Sequence, residues 1–478
     1  MIRAFDAPLL RPLCLIVAAA PLLLAGCRDE AETEGDAARH RSPTGAVARS
    51  EQAAGDPEKG YDALVNEPYV SCGIPWSAYS RLNPDPGLSV PGRTGRNAEL
   101  PYASTAHVNA DGVEIVSGNC LICHANRIGD EVIVGLGNEF ADFTRDPRRL
   151  ALQAANYVRG APETAAWQHW ADRVEGIGPY VQTRTVGVNP APNLTWALMA
   201  HLDPETLAWS QEPLIAPPPE DPIPISVPPW WGMRKKNAMF YTTIGRGDHA
   251  RFMLLASMLC IESPEEAEAI AGYAEDIRAY ITSLDAPDYP YPVDETLAAR
   301  GAEIFQRDCA ACHGTYGEDE TYPNLVIPYE EVGTDPTYAV EQTDGSRDRF
   351  YDWVARSPYG DDQSAAPAPG YIAPPLDGVW ATAPYLHNGS VPNMAALLSS
   401  SLRPTFWRHR TDPRRYDPEV MGWAHEVLDT GQEEETDPDA RRLIYDTTLR
   451  GYANTGHSYS DDLDDASVQA LIEYLKTL

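Results

Sequence analysis

Two short runs carry the densest chemistry in this 478-residue chain, Cys120-Leu121-Ile122-Cys123-His124 and Cys309-Ala310-Ala311-Cys312-His313. Each sets two thiols three positions apart and an imidazole directly after them. That spacing lets the thiols add across the two vinyl groups of one haem, while the adjacent imidazole takes the iron from below. Zinc would want its ligands pooled, whereas 189 positions separate His124 from His313. Thiol–disulfide redox would want a thioredoxin-like context, which is not visible here. The two motifs therefore predict two covalently attached haem c groups, with His124 and His313 as their proximal ligands.

The other cysteines sort by position. Cys14 lies in an apolar run, Leu13 to Ala25, that follows Arg3 and Arg11 and ends in Leu24-Ala25-Gly26-Cys27. The run is short for a transmembrane span and has small residues before Cys27, so residues 1–26 read as a lipoprotein signal peptide and Cys27 as the lipid-bearing residue. Residues 27–55 are charged and Ala/Gly-rich and predict a disordered tether. The implied location is the periplasm or the outer membrane. Cys72 and Cys260 remain. In an exported chain they invite a disulfide, the alternative being two isolated buried thiols.

Helices must position the motifs. Leu297, Ile304 and Phe305 share a face on a helix running into Cys309, and Val468, Leu471, Ile472 and Leu475 follow helical spacing, with Asp464 or Asp465 as the cap. Ile270, Tyr273, Ile277, Tyr280, Ile281 and Leu284 form a similar face, and Tyr280 to Leu284 echoes Tyr474 to Leu478. The expected fold is mainly α: two cytochrome c-like haem domains, 56–286 and 287–478, with long irregular loops rich in the chain's 43 prolines. The formal net charge of −33 argues against nucleic-acid binding and favours solubility.

A second strong iron ligand makes an electron carrier, and an open position makes an enzyme. His457, in a glycine-flanked loop before the last helix, and His387 are the candidates near the second haem. His249 is the best-placed candidate in the first half, although a propionate or ion-pair role beside Arg246 is the preferred reading. Met394 and Met421 are further candidates, while Met233, Met239, Met253 and Met258 sit in an aromatic-rich stretch where packing is the commoner role. The basic run Arg234-Lys235-Lys236 suits either haem propionates or a solvated face.

The block from Gly370 to Pro392, with Ala383-Pro384-Tyr385, His387 and Gly389-Ser390, resembles the signature of the bacterial diheme cytochrome c peroxidase superfamily, and is most similar to its rubber-oxygenase-like branch. Supporting likeness lies in Tyr69 to Pro75, Gly135 to Asn138, Lys235 to Ala238 with Gly245 to His249, and Gly456-His457. The resemblance implies two facing haem domains bridged by an aromatic residue, best matched by Trp231 with Trp230 as its neighbour. It implies a reaction centre at the first haem and an electron-supplying, six-coordinate second haem. Peroxidase members place a methionine where this chain has Ser401, and that departure points away from ordinary peroxidase activity. The oxygenase branch is bis-histidine there, which makes His457 the ligand and His387 a supporting residue. The expected activity is oxidoreduction with peroxide or dioxygen on an organic substrate that the sequence leaves open, served by a small redox partner protein or other electron donor. Calcium between the domains is a further open cofactor. The competing reading is a membrane-tethered electron carrier, both irons saturated, with His249 or a methionine closing the first.

Overall fold

The computed structural model describes residues 42–85, 87–361, 364–410, 412 and 414–478. The expected signal peptide, Cys27 and the first part of the expected tether lie outside them. The expectation of a mainly α fold is corrected: among the described residues, helices of mostly one to three turns alternate with thirteen short strands in five small antiparallel sheets. Strands of two to five residues, set in Pro-rich loops, carry too little alternation to be seen in the sequence.

Two helix pairs organise the molecule. Helix Pro57–Asn66, capped by Asp56 with Pro57 in its first turn, packs on helix Pro264–Ser283, capped by Ser263. Helix Glu295–Asp308, capped by Asp294, packs on helix Asp465–Leu475, where Asp464 rather than Asp465 is the cap. The predicted faces are the ones buried: Ile270, Ile277 and Ile281 in the first pair, Ile304, Phe305, Val468, Leu471, Ile472 and Leu475 in the second. Both crossings rest on a glycine. A Cβ at Gly60 would collide with the Asp276 carbonyl, and one at Gly301 with the Ala470 carbonyl. Gly301→Ala is expected to destabilise the holoprotein by about 1–3 kcal/mol, because backbone cannot give way as a side chain can. Gly272→Ala, in the same kind of helix but facing open space, is expected to be neutral or stabilising by up to ~1 kcal/mol. Denaturant titration of the two variants checks the contrast.

Between the first helix pair and the first motif lies a sheet of Ser104–Val108, Glu114–Gly118 and Ile74–Pro75, with the Glu114–Gly118 strand central. Just before it, Cys72 is joined to Cys260 at a Cα–Cα distance of 5.2 Å, so of the two readings left open by the sequence the disulfide holds. It ties the segment before the first motif to the start of helix Pro264–Ser283. Replacing both cysteines by serine is expected to cost about 2–5 kcal/mol, read as a lower denaturation midpoint that reducing agent does not lower further.

Two large cores follow the helix pairs, and each borrows from the other half. The first takes Phe350, Tyr351, Trp353 and Tyr359, and the second takes Leu136 and Trp231. Residues 42–55 of the expected tether are not a free linker. Gly45–Ala46 pairs with Leu325–Val326, Val47 is buried, Gln52 donates to the Gly247 carbonyl, and Ala53 donates to Asp248. Residues 42–55 thus strap both halves. Their partners lie far away in the chain and cannot be read locally.

Candidate haem sites

His124 ends a single helical turn, Leu121–His124, and the hairpin Ala125–Ile128/Glu131–Val134 follows at once. Its carbonyl accepts from Gly135 N–H, and Gly135 in turn accepts from Trp230 N–H, both at 2.8 Å. This link places the Trp230 indole against the His124 ring, centroids 4.7 Å apart and planes 22° from parallel. Burial drives the His124 pKa down to about 4, so the imidazole is neutral, as a metal ligand must be.

His313 ends the matching turn Ala310–His313. Its Nδ1 lies 2.8 Å from the Pro374 carbonyl, a contact that puts the proton on Nδ1 and leaves Nε2 free for iron. The ring of His457 lies 6.1 Å from that of His313, centroid to centroid. Two imidazoles on opposite faces of one metal, each with a ~2 Å bond, stand roughly that far apart. His457 takes a left-handed backbone, φ 47°, and the Arg403 guanidinium fixes the loop by donating to the carbonyls of Asn454, Gly456 and His457. The sequence singles out neither Pro374 nor Arg403. Pro374 lies inside the signature block, but only the fold reveals its acceptor role.

The thiols of both motifs are free and all four pKa values are raised by burial, Cys123 to about 12 and Cys309 to about 11. Disulfide-exchange cysteines need lowered values, so the donor set fits covalent haem attachment and not dithiol redox. Bound haem supplies the iron for one-electron and oxygen chemistry.

The tryptophan pair divides between the halves. Trp230 belongs to the first core, while Trp231, fully buried, donates from Nε1 to the Asp377 carbonyl at 2.7 Å. Asp377 lies three positions after Pro374. The pair therefore runs from the ring of His124 to the loop that fixes His313. The basic run meets neither proposed fate intact. Arg234 pairs with Asp285, and Lys235 with Asp377 at 2.7 Å and Glu320 at 3.1 Å. Lys236 is the remaining cation, its pKa lowered to about 8 by burial.

Arg246 makes its side-chain hydrogen bonds to Thr243 and none to His249, its guanidinium donating to the carbonyl and hydroxyl of Thr243, both at 2.7 Å. His249 is buried, hydrogen-bonds the Asn237 backbone, and leaves Nε2 without a partner; burial first, then Arg278, lowers its pKa to about 4. His387 stacks on Tyr371 at 4.1 Å and meets Tyr241 at 6.2 Å, so its ring contacts lie away from the His313–His457 pair. Met394 and Met421 are core residues, Met258 is buried, and Met233, Met239 and Met253 pack on the first core. Ser401 is exposed. Among the described residues no group of three or more His, Cys, Asp or Glu side chains could hold a free metal ion.

Residues 298–388 match the cytochrome c family model, and residues 370–408 match the model described as RoxA-like, cytochrome c-like. Two uncharacterized proteins of Sinorhizobium fredii, y4iM and y4iJ, are 31% and 30% identical over 41% and 47% of this chain and 52% and 47% of their own lengths. The chain thus spans about half the length of the curated relatives it matches. The second thiol pair, with His313, lies inside the segment that matches the cytochrome c model, and that segment runs into the RoxA-like match, so this part of the chain is similar to c-type cytochromes of the RoxA-like branch; the first pair, with His124, lies outside both matches.

Proposed function

We propose that the protein is an exported diheme oxidoreductase, reducing peroxide or dioxygen at the first haem and relaying electrons through the second. The observation that carries this reading is the asymmetry of the two proximal histidines. His313 faces His457 across an iron-sized gap, whereas among the described residues no second imidazole is paired with His124 in this way, the Trp230 indole lying flat on the face of its ring. A bis-histidine iron stores and passes electrons, and an iron without a second strong ligand can take up oxidant. Trp230 and Trp231 supply a short aromatic connection between the two. The Cys72–Cys260 disulfide supports an oxidising compartment, consistent with export to the periplasm or outer membrane.

A small basic redox protein is the partner that suits the second haem. Tyr459, whose ring lies 5.3 Å from that of His457, and Leu402 are exposed on a strongly acidic chain. Calcium finds no cluster of acidic side chains among the described residues, and burial raises the pKa of the lone Glu139 carboxyl, which works against the charged form that such a cation requires.

A low-temperature paramagnetic-resonance spectrum of the ferric holoprotein tests the proposal. One low-spin and one high-spin signal, the latter abolished by cyanide, are expected. Two low-spin signals in the ferric protein, with no high-spin signal appearing after one-electron reduction, would establish the competing reading, a tethered carrier with both irons saturated.

A further inference from the structure

A chain of aromatic rings leaves the haem-fixing loop and ends in solvent. The loop that holds His313 through Pro374 and Trp231 through Asp377 continues into the fully buried Trp380. Trp380 meets Tyr289 at 5.4 Å and Tyr416 at 5.7 Å between ring centroids. Both then converge on Tyr291, Tyr289 edge-on at 5.4 Å and Tyr416 stacked at 5.8 Å with planes 3° apart. Tyr291 is 37% exposed.

The polar hydrogens along this chain are disposed unequally. Trp380 donates to the Pro287 carbonyl at 2.9 Å, Tyr416 to the Trp380 carbonyl at 2.8 Å, and Tyr289 to the Pro418 carbonyl at 3.2 Å. Amide carbonyls do not take up a proton, so the buried Tyr416 and the half-buried Tyr289, each with its hydroxyl committed to a carbonyl, have no ready acceptor for theirs. Burial moreover drives their pKa values upward. An indole can give up an electron while keeping its proton. Tyr291 sits where water can take the phenolic proton, and so is the place where an electron vacancy would come to rest.

We propose that Tyr291 is a surface oxidation site for phenols too large to enter the protein, connected to the haem region through Trp380 and the tyrosines around it. The proposal rests on the oxidoreductase reading above, with hydrogen peroxide as oxidant. One peroxide takes two electrons and two protons and leaves as two waters. Each electron drawn inward through Trp380 comes from Tyr291, which releases its phenolic proton to water. The neutral tyrosyl radical then takes one hydrogen atom from a phenol in solution. Two phenols become two phenoxyl radicals per peroxide, and Tyr291 is restored.

Tyr291→Phe removes the hydroxyl from an exposed ring and leaves the packing intact. Wild-type holoprotein mixed with peroxide and freeze-quenched is expected to show a tyrosyl radical by paramagnetic resonance, lost by at least fivefold in the variant. Peroxide-driven oxidation of a phenol-substituted dextran is expected to fall at least tenfold in Y291F, while oxidation of ferrocyanide stays within twofold. Wild-type turnover of ferrocyanide with no tyrosyl radical, or equal dextran oxidation by both proteins, would overturn the surface site and leave the oxidoreductase reading standing. No peroxide consumption by the wild type with any reductant would overturn both.

Discussion

Replacing Cys120 and Cys123 together by serine is expected to leave a soluble protein carrying half the haem of the wild type, a fall from two groups to one per chain. Pyridine haemochrome absorbance against protein concentration measures the ratio, and mass spectrometry of the intact chain measures the covalent part. Without thioether bonds a haem there would be held by His124 and packing alone. The second motif lies in the other core, against helix Asp465–Leu475, and is expected to load normally. The signals should separate accordingly. The Cys120/Cys123 variant keeps the low-spin signal and loses the high-spin one, and a Cys309/Cys312 variant does the reverse. A wild-type ratio of one haem would end the diheme reading.

His457→Asn is expected to convert the second haem almost completely from low spin to high spin. Asparagine tolerates the left-handed backbone that His457 adopts at φ 47°, so the loop held by Arg403 has no reason to rearrange. Its amide is a far weaker iron ligand than imidazole. Free imidazole added at millimolar concentration should restore the low-spin spectrum, which a collapsed pocket would not allow. A low-spin signal unchanged by the substitution would exclude His457 as the ligand. His387→Asn serves as the contrast. Its ring rests on Tyr371 and Tyr241, and the same substitution there is expected to leave the spin state alone.

Much of the site is legible in the amino-acid sequence. The two Cys-Xaa-Xaa-Cys-His runs state their chemistry within five residues, because thioether attachment and proximal ligation act over one helical turn. Helix caps at Asp294 and Asp464 are equally local, since a cap and the N–H groups it accepts from are three residues apart at most. The preference for His457 over His387 rests on resemblance and not on any property of the two loops, both of which hold a histidine within two residues of a glycine. The thirteen strands, the strap over residues 42–55 and the loss of Arg234 and Lys235 to Asp285, Glu320 and Asp377 are hidden from it, because each depends on partners far away in the chain.

The sequence by itself points to haem attachment through thiols, to His124 and His313 as the iron ligands, and to helices flanking each motif. Those are consequences of short-range covalent geometry and of periodicity. Only the tertiary structure decided that His313 faces His457, that Trp230 stacks on the His124 ring, that Trp231 reaches across to the loop of His313, and that an aromatic chain leads from that loop to solvent. A ring's partner is set by how two cores pack against each other, and packing joins residues without regard to their separation along the chain.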